Sequence, residues 1–277
     1  MSFRITILCD NSVGPISGTL GEHGLSVLVE PSGGEALLFD TGQGATLLHN
    51  ARRMNRDLAA IAKVVISHGH YDHCGGLLPL LQIGGPRQVL SHPDIFAGRY
   101  RLRDNGERVE IGIPQSRGTL EEAGAVFDLS GDFREIAPGV FLTGEVPRST
   151  PFEYGDRGLF RDGGEQEPDE TPDDQSLVLE TGKGLAIILG CCHAGLINTL
   201  EHTARMMGRR DVYALVGGTH LGFCGKSQLD QTIAALKRWG ISRLATGHCT
   251  GFAASARLWR EMPHAFQPAQ VGYTLEL

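Results

Sequence analysis

The chain has 277 residues, of which 41% are hydrophobic, and a formal net charge of −7. This length and apolar fraction can fill one continuous core in a layered α/β architecture, so we expect a single domain over residues 1–277. The sequence contains no run of about 18 apolar residues that would predict a transmembrane helix. It also lacks the basic stripe that would predict nucleic-acid binding.

Strand-length apolar runs and helical patterns follow one another along the chain. The predicted strands are 3–8, 25–30, 36–39, 63–67, 139–143, 176–180, 185–189, 211–216, 241–246 and 270–276. The predicted helices are about 45–54, 75–82, 195–207, 226–239 and 252–260. Strands dominate the first part and alternate with helices in the second, which indicates sheets covered by helices.

The start of the chain and its cysteines bear on its compartment. The first residues, MSFRITILCDNS, have the pattern of a strand rather than of a signal peptide. The six cysteines have no spacing typical of a disulfide framework. We therefore expect a cytoplasmic protein with reduced thiols, no membrane partner and no nucleic-acid partner. Nothing in the sequence indicates the oligomeric state.

One segment, residues 153–174, is strongly acidic. Its sequence, EYGDRGLFRDGGEQEPDETPDD, contains nine acidic residues and two arginines, a balance that equals the net charge of the whole chain. A composition rich in Gly, Pro, Asp and Glu predicts a long loop. Two interpretations remain open, a solvated surface excursion and a lid over an active site.

The stretch SHGHYDHCGG, residues 67–76, has the composition of a metal site. It brings His68, His70, Asp72 and His73 into six consecutive positions. Imidazole and carboxylate ligands together suit zinc, manganese or iron rather than calcium. Because a tetrahedral catalytic site usually takes three protein ligands, we predict two ions, with His68 and His70 on one and Asp72 and His73 on the other. The alternative is a set of surface or helix-cap residues.

Further histidines follow later predicted strands. His193, together with Cys191, comes after 185–189, His220 comes after 211–216, and His248 comes after 241–246. Ligand sites in α/β folds gather at the carboxyl ends of strands, because the loops converge there on a rigid sheet. We therefore expect these side chains to join the H-x-H-x-D-H turn in one site.

These motifs resemble the metallo-β-lactamase superfamily, whose signature is the H-x-H-x-D-H run. The resemblance extends to HGLSVLVE at 23–30, LLFDTGQG at 37–44, LTGEVPR at 142–148, LGCCHAG at 189–195, GGTHL at 217–221 and TGHCTG at 246–251. The chain looks most like the branch labelled 7,8-dihydropterin-6-methyl-4-(β-D-ribofuranosyl)aminobenzene-5′-phosphate synthase or metal-dependent hydrolase. The resemblance implies an α+β fold, a four-layer αββα sandwich, with a dinuclear site on one edge.

The resemblance also implies the remaining metal ligands. His193 would complete the first ion and His248 the second. No bridging carboxylate is evident, because this chain has Gly190-Cys191-Cys192-His193 where many members carry Gly-Asp. Cys191 is therefore the candidate for the bridging position, and a thiolate there favours zinc over manganese. The alternative for Cys191 and Cys192 is that both pack as small buried hydrophobic residues.

Three more residues are candidates for supporting roles. Asp40 resembles the acidic residue that accepts the remaining N–H of a metal-bound imidazole, or else it only opens the turn before Gly42. Arg148 could bind a phosphate or carboxylate, or else pair with a nearby acid. His220 has a weaker case as a ligand, and it could line the pocket and donate to an oxyanion.

Hydrolysis is the predicted reaction. Two divalent transition-metal ions, zinc in the first place and manganese or iron otherwise, lower the pKa of a bound water from ~16 toward ~7. Asp72 would orient the resulting hydroxide toward a small phosphoester, lactone or similar acidic substrate.

Two alternative functions remain open. The first is a synthase or transferase that forms a ribofuranosylaminobenzene phosphate product, for which Arg148 and the cluster of Arg99, Arg101 and Arg103 are the visible phosphate-binding residues. The second is a non-catalytic sensor that binds metal or ligand. An oxygen-reducing diiron protein is disfavoured, because that branch resembles H-x-E-x-D and this chain has His70 in place of the glutamate.

Overall fold

A computed structural model of the chain describes residues 1–103, 105–162, 164 and 167–277. The strands in these ranges are β1 (Phe3–Cys9), β2 (Ser26–Pro31), β3 (Leu37–Phe39), β4 (Lys63–Val65), β5 (Arg87–Ser91), β6 (Tyr100–Leu102), β7 (Arg108–Glu110), β8 (Ala125–Leu129), β9 (Arg134–Ala137), β10 (Val140–Leu142), β11 (Leu159–Phe160), β12 (Leu177–Thr181), β13 (Gly184–Leu189), β14 (Val212–Gly217), β15 (Arg243–Thr246), β16 (Phe266–Pro268) and β17 (Thr274–Glu276). The helices are α1 (Leu47–Arg53), α2 (Tyr71–Cys74), α3 (Leu77–Gly84), α4 (Arg117–Glu122), α5 (Leu196–Met207), α6 (Lys226–Trp239) and α7 (Gly251–Glu261).

Two seven-stranded sheets face each other. The first has the order β17-β1-β2-β3-β4-β5-β8 and the second the order β16-β15-β14-β13-β12-β10-β9. The strands from β3 to β8 in the first sheet are parallel, and so are those from β13 to β16 in the second. Helices α1, α3 and α4 pack on the outer side of the first sheet, and α5, α6 and α7 pack on the second. The predicted four-layer αββα sandwich is confirmed.

Strand β13 illustrates how the sequence produces these layers. All six of its residues are buried. Because successive strand side chains point to opposite faces, Ala186 and Ile188 pack between the two sheets with Ile5 of β1. Leu185 and Ile187 point the other way, into the layer of α5 and α6. A strand covered on both faces must be apolar throughout, which is why GLAIIL shows no alternation.

Most long predicted elements occur close to their predicted positions, whereas residues 83–137 contain elements that were not predicted. These are β5, β6, β7, β8, β9 and α4. Strands β6 and β7 form a separate three-stranded sheet with β11, in the order β11-β6-β7. No helix in the described ranges is long and apolar enough to cross a membrane.

The prediction of a loop over 153–174 was wrong in part. Residues 163, 165 and 166 lie outside the described residues, but Leu159 and Phe160 form strand β11 against β6. The solvated interpretation was wrong for Asp169 and Asp173, which are buried and paired with the buried guanidinium of Arg99. From composition alone, these acids were predicted to be surface charges. That prediction was wrong because a buried cation compensates their charge.

Candidate metal centre

The H-x-H-x-D-H turn connects the end of β4 to helix α2, and all four of its predicted ligands are buried. The turn passes so close to its neighbour that a Cβ on Gly69 would lie 2.2 Å from the carbonyl oxygen of Ile95, so only glycine fits. The Gly69 N–H donates to Asp173 Oδ2 at 2.8 Å. The acidic segment therefore holds the ligand turn in place.

The first group of ligand atoms comes from His68, His70 and His193, which lie within 4.8 Å of one another. His68 Nε2 is 2.9 Å from His70 Nδ1. The hydroxyl of Ser67 donates to Asp40 Oδ2 at 2.8 Å, so it accepts from His68 Nδ1 at 2.8 Å. His68 therefore presents a lone pair on Nε2 to this group. Neither ring nitrogen of His193 has a hydrogen-bond partner within the described part of the chain.

The second group comes from Asp72, His73 and His248. The Nε2 atoms of the two histidines are 3.1 Å apart. Asp72 Oδ2 lies 3.4 Å from His248 Nε2 and 3.8 Å from His73 Nε2. Two imidazoles and a carboxylate thus converge on a single point, as the three protein ligands of a catalytic zinc ion do.

The hydrogen bonds of the Nδ1 atoms of His73 and His248 determine whether each Nε2 atom carries a proton or a lone pair. His73 Nδ1 donates to Asp40 Oδ2 at 2.7 Å. His248 Nδ1 lies 3.0 Å from Asn11 Oδ1, which also accepts the Gly24 N–H and is therefore the acceptor. With both Nδ1 atoms protonated, two lone pairs face each other unless a proton or a cation lies between them. The contact predicted for Asp40 is present.

The pKa shifts show which imidazoles are neutral. Burial lowers the pKa of His70 to about 3 and of His248 to about 4, and it keeps the pKa of His68 and His193 well below the usual value. For His73, the carboxylates of Asp40 and Asp72 outweigh burial and raise the pKa to about 9. A metal ion would replace this proton, because metal ligands must be deprotonated. The donor set therefore fits divalent transition-metal ions.

Cys191 lies between the two groups. Its Sγ is 3.2 Å from His73 Nε2. It also forms close sets with His68 and His73, with His193 and His220, and with His248 and Cys249. The neighbouring Cys192 instead packs in the core with residues of α5. Cys191 therefore lies where a metal ligand could lie, whereas Cys192 packs as a small buried hydrophobic residue. The sequence had left both interpretations open.

His220 and Arg148, the other two candidates for supporting roles, differ in their position relative to the pocket. His220 lines the pocket in front of the ligand groups, which measures about 150 Å³. Its pKa is raised to about 9, because Asp156 and Cys249 outweigh its burial. Arg148 is not among the described residues of this pocket; its Nη2 donates to the Glu170 carbonyl oxygen at 2.8 Å. A substrate-binding role for Arg148 therefore stays a prediction.

Several residues at the site were not predicted. His23 Nε2 lies 3.2 Å from Asp72 Oδ2, and Cys249 follows His248 directly in TGHCTG. Asp174 is buried, and its Oδ2 accepts the His193 N–H. Burial raises the pKa of Asp174 to about 7. The adjacency of Cys249 to a predicted ligand was a usable signal, whereas no local pattern distinguished His23 or Asp174.

Comparison with known proteins agrees with this geometry. The family model described as the metallo-beta-lactamase superfamily matches residues 20–191, which include the ligand turn and Cys191. The chain belongs to the metallo-β-lactamase superfamily. A relative from Methanocaldococcus jannaschii, named 7,8-dihydropterin-6-methyl-4-(beta-D-ribofuranosyl)-aminobenzene-5′-phosphate synthase, is 30% identical over 98% of this chain and 95% of its own length.

Two solved structures extend the comparison. Tm1679, described as a metal-dependent hydrolase of the beta-lactamase superfamily, has a TM-score of 0.84 and 30% identity, and the match covers 99% of both chains. Zn(2+)-bound PqqB from Methylobacterium extorquens has a TM-score of 0.59 at 18% identity, covering 99% of this chain and 100% of that one. The PqqB likeness supports the fold alone. The described part of this chain contains groups of His, Cys and Asp side chains that could hold a metal ion.

Proposed function

We propose that this protein is a metal-dependent hydrolase with a dinuclear, zinc-containing site that acts on a small phosphoester, lactone or similar acidic molecule. The observation that carries the proposal is the pair of three-residue ligand groups with Cys191 between them. His70, Asp72, Cys191, His193 and His248 also line the pocket, so a substrate there would reach both groups. The likeness to Tm1679, described as a metal-dependent hydrolase, supports the same reaction class.

Divalent ions bound to such a site lower the pKa of water and polarise a carbonyl or phosphoryl oxygen of the substrate. The residues of the chain would hold and orient the reactants. Asp40 and Ser67 fix the tautomers of His73 and His68 through their Nδ1 atoms. His23 donates to the Asp72 carboxylate and restrains its rotation.

His220 is proposed to donate a hydrogen bond to the substrate oxygen that gains negative charge in the reaction. Its ring faces the pocket, and neither ring nitrogen makes a hydrogen bond of normal geometry within the described ranges. Every tautomer of an imidazole offers at least one N–H donor. A donor placed at the developing charge contributes more in a buried pocket than in water.

A synthase or transferase is the second candidate. The name of the Methanocaldococcus jannaschii relative favours it, and so does the arginine Arg101 at the pocket, since an arginine suits a phosphate. The two reactions differ in what receives the transferred group. Water receives it in hydrolysis, whereas a second substrate receives it in synthesis.

The test is a substrate panel on protein reconstituted separately with zinc, manganese and iron. The panel contains phosphodiesters, phosphomonoesters, lactones and thioesters, with Cys192→Ser as a matched variant away from the pocket. We expect turnover with at least one hydrolysable class, which His68→Ala abolishes and Cys192→Ser retains. Turnover that requires a second organic substrate would support the synthase instead. Tight binding of metal and small acids without any turnover would support a sensor.

A further inference from the structure

The pocket in front of the metal centre contains one arginine among its described lining residues, Arg101. Arg101 lies on β6 and is directly paired with Leu159 of β11, so the three-stranded sheet brings both residues to the pocket wall. Its neighbours in sequence are engaged elsewhere. Arg99 is buried between Asp169 and Asp173, and Arg103 pairs with Glu107.

The contacts of Arg101 hold its guanidinium in place and leave donors unused. Nη1 donates to Asp156 Oδ2 at 3.0 Å, and the guanidinium carbon lies 4.9 Å from the ring centre of Phe223. An arginine carries five N–H donors in a planar fork. Within the described residues, the hydrogen bond to Asp156 takes one of them, and the Arg101 side chain is 34% exposed.

Asp156 connects Arg101 to His220. The same Oδ2 atom lies 3.5 Å from His220 Nε2, and the His220 ring is 4.7 Å from the Phe223 ring. The carboxylate is itself only 10% exposed. One carboxylate thus forms ion-pair contacts with two side chains that both line the pocket. The same pocket also has an apolar surface from Ile111 and Leu159.

We propose that Arg101 and His220, positioned by Asp156, bind an anionic oxygen group of the substrate, a phosphate or a carboxylate. The planar fork of arginine matches both groups bidentately. The apolar body that carries the anion packs on Ile111, Leu159 and Phe223. This subsite deepens the proposed function and rests on it for the statement that the ligand is a substrate.

Calorimetric titration of the metal-loaded protein tests the subsite without requiring turnover. The probes are phenyl phosphate, benzoate and, as the neutral reference, phenol. We expect Arg101→Gln to weaken binding of at least one anion by about 10- to 100-fold, because charge-assisted hydrogen bonds are lost. Phenol binding should not change, and Arg101→Lys should recover only part of the anion affinity because it lacks the fork.

Arg117 offers a matched control. It pairs with Glu121 at 2.7 Å and lies over the Phe127 ring at 5.8 Å, so it repeats the ion pair and the aromatic contact away from the pocket. Arg117→Gln should leave all three affinities unchanged. Asp156→Asn tests positioning. It should weaken binding of the anions but not of phenol, and Asp156→Glu should restore part of the lost affinity. Comparison of the two anions identifies which group the subsite prefers.

Two results would overturn the subsite: no anion binding by the wild-type protein, or anion binding by Arg101→Gln within about twofold of the wild type. In the second case, the arginine serves only to pair with Asp156. Failure of the hydrolase proposal can be distinguished from failure of the subsite. If no substrate class turns over but anion binding still depends on Arg101, the subsite stands and the reaction class falls.

Discussion

Replacing Cys191 by serine tests whether its sulfur is a metal ligand. Cys191 is 4% exposed, and its Sγ lies 3.2 Å from His73 Nε2 between the two ligand groups. Serine keeps the shape of the side chain, but a hydroxyl is a much poorer zinc ligand than a thiolate. Loss of an outer-shell partner alone typically costs 10- to 100-fold in metal affinity, so loss of a direct ligand should cost at least about 100-fold.

Cys192 provides the matched control for this experiment. It is 3% exposed, but it packs in the α5 layer, where its Sγ accepts from Thr199 Oγ1 at 3.9 Å. Cys192→Ser should retain both ions and instead lower the free energy of unfolding by about 1–3 kcal/mol, because a hydroxyl enters an apolar core. The assay is competition for zinc with a chromophoric chelator, combined with urea denaturation. Equal zinc affinity in the two variants would make Cys191 a packing residue.

Three further substitutions follow from the same geometry. Asp72→Asn should lower turnover at least about 100-fold while the first ion is retained, and near-normal turnover with one ion lost would show that the second ion is structural. Asp40→Asn removes the carboxylate that accepts from His73 Nδ1, so metal affinity measured by chelator competition should fall about 10- to 100-fold, and an unchanged affinity would contradict its orienting role. Arg99→Met leaves the buried Asp173 without its arginine partner and leaves Asp169 with only the longer 3.6 Å contact to Arg161, so urea denaturation should show a loss of about 3–5 kcal/mol. A loss below about 1 kcal/mol would contradict that account.

The sequence was sufficient for the layers and for the ligand turn, because both depend on local patterns. A continuous apolar run such as that of β13 fits a strand whose two faces are both covered. The spacing of His68, His70, Asp72 and His73 brings four candidate ligands together within one turn, without information about the rest of the fold. Helix α6 was predicted at its observed bounds, because its apolar positions repeat with the helical period.

The contacts that the sequence could not predict join distant parts of the chain. Asp156 reaches Arg101 and His220 only because β11 pairs with β6, and neither two-residue β11 nor three-residue β6 has a recognisable pattern. Likewise, Asp173 is an ordinary acid in an acidic segment until Arg99 is brought beside it. Burial of charge depends on tertiary pairing, so composition assigned these residues to the surface.

Metal stoichiometry measured by elemental analysis tests whether the chain holds two transition-metal ions. The measurement compares purified wild-type protein, after reconstitution with zinc and removal of excess metal, with His193→Ala and His248→Ala. His193 belongs to the first group of ligand atoms and His248 lies with Asp72 in the second. We predict roughly two ions per wild-type chain and roughly one in each variant, because each variant loses one of three ligands at a single site. A wild-type chain that retains no metal after reconstitution, or only one ion that either substitution removes, would contradict the dinuclear centre.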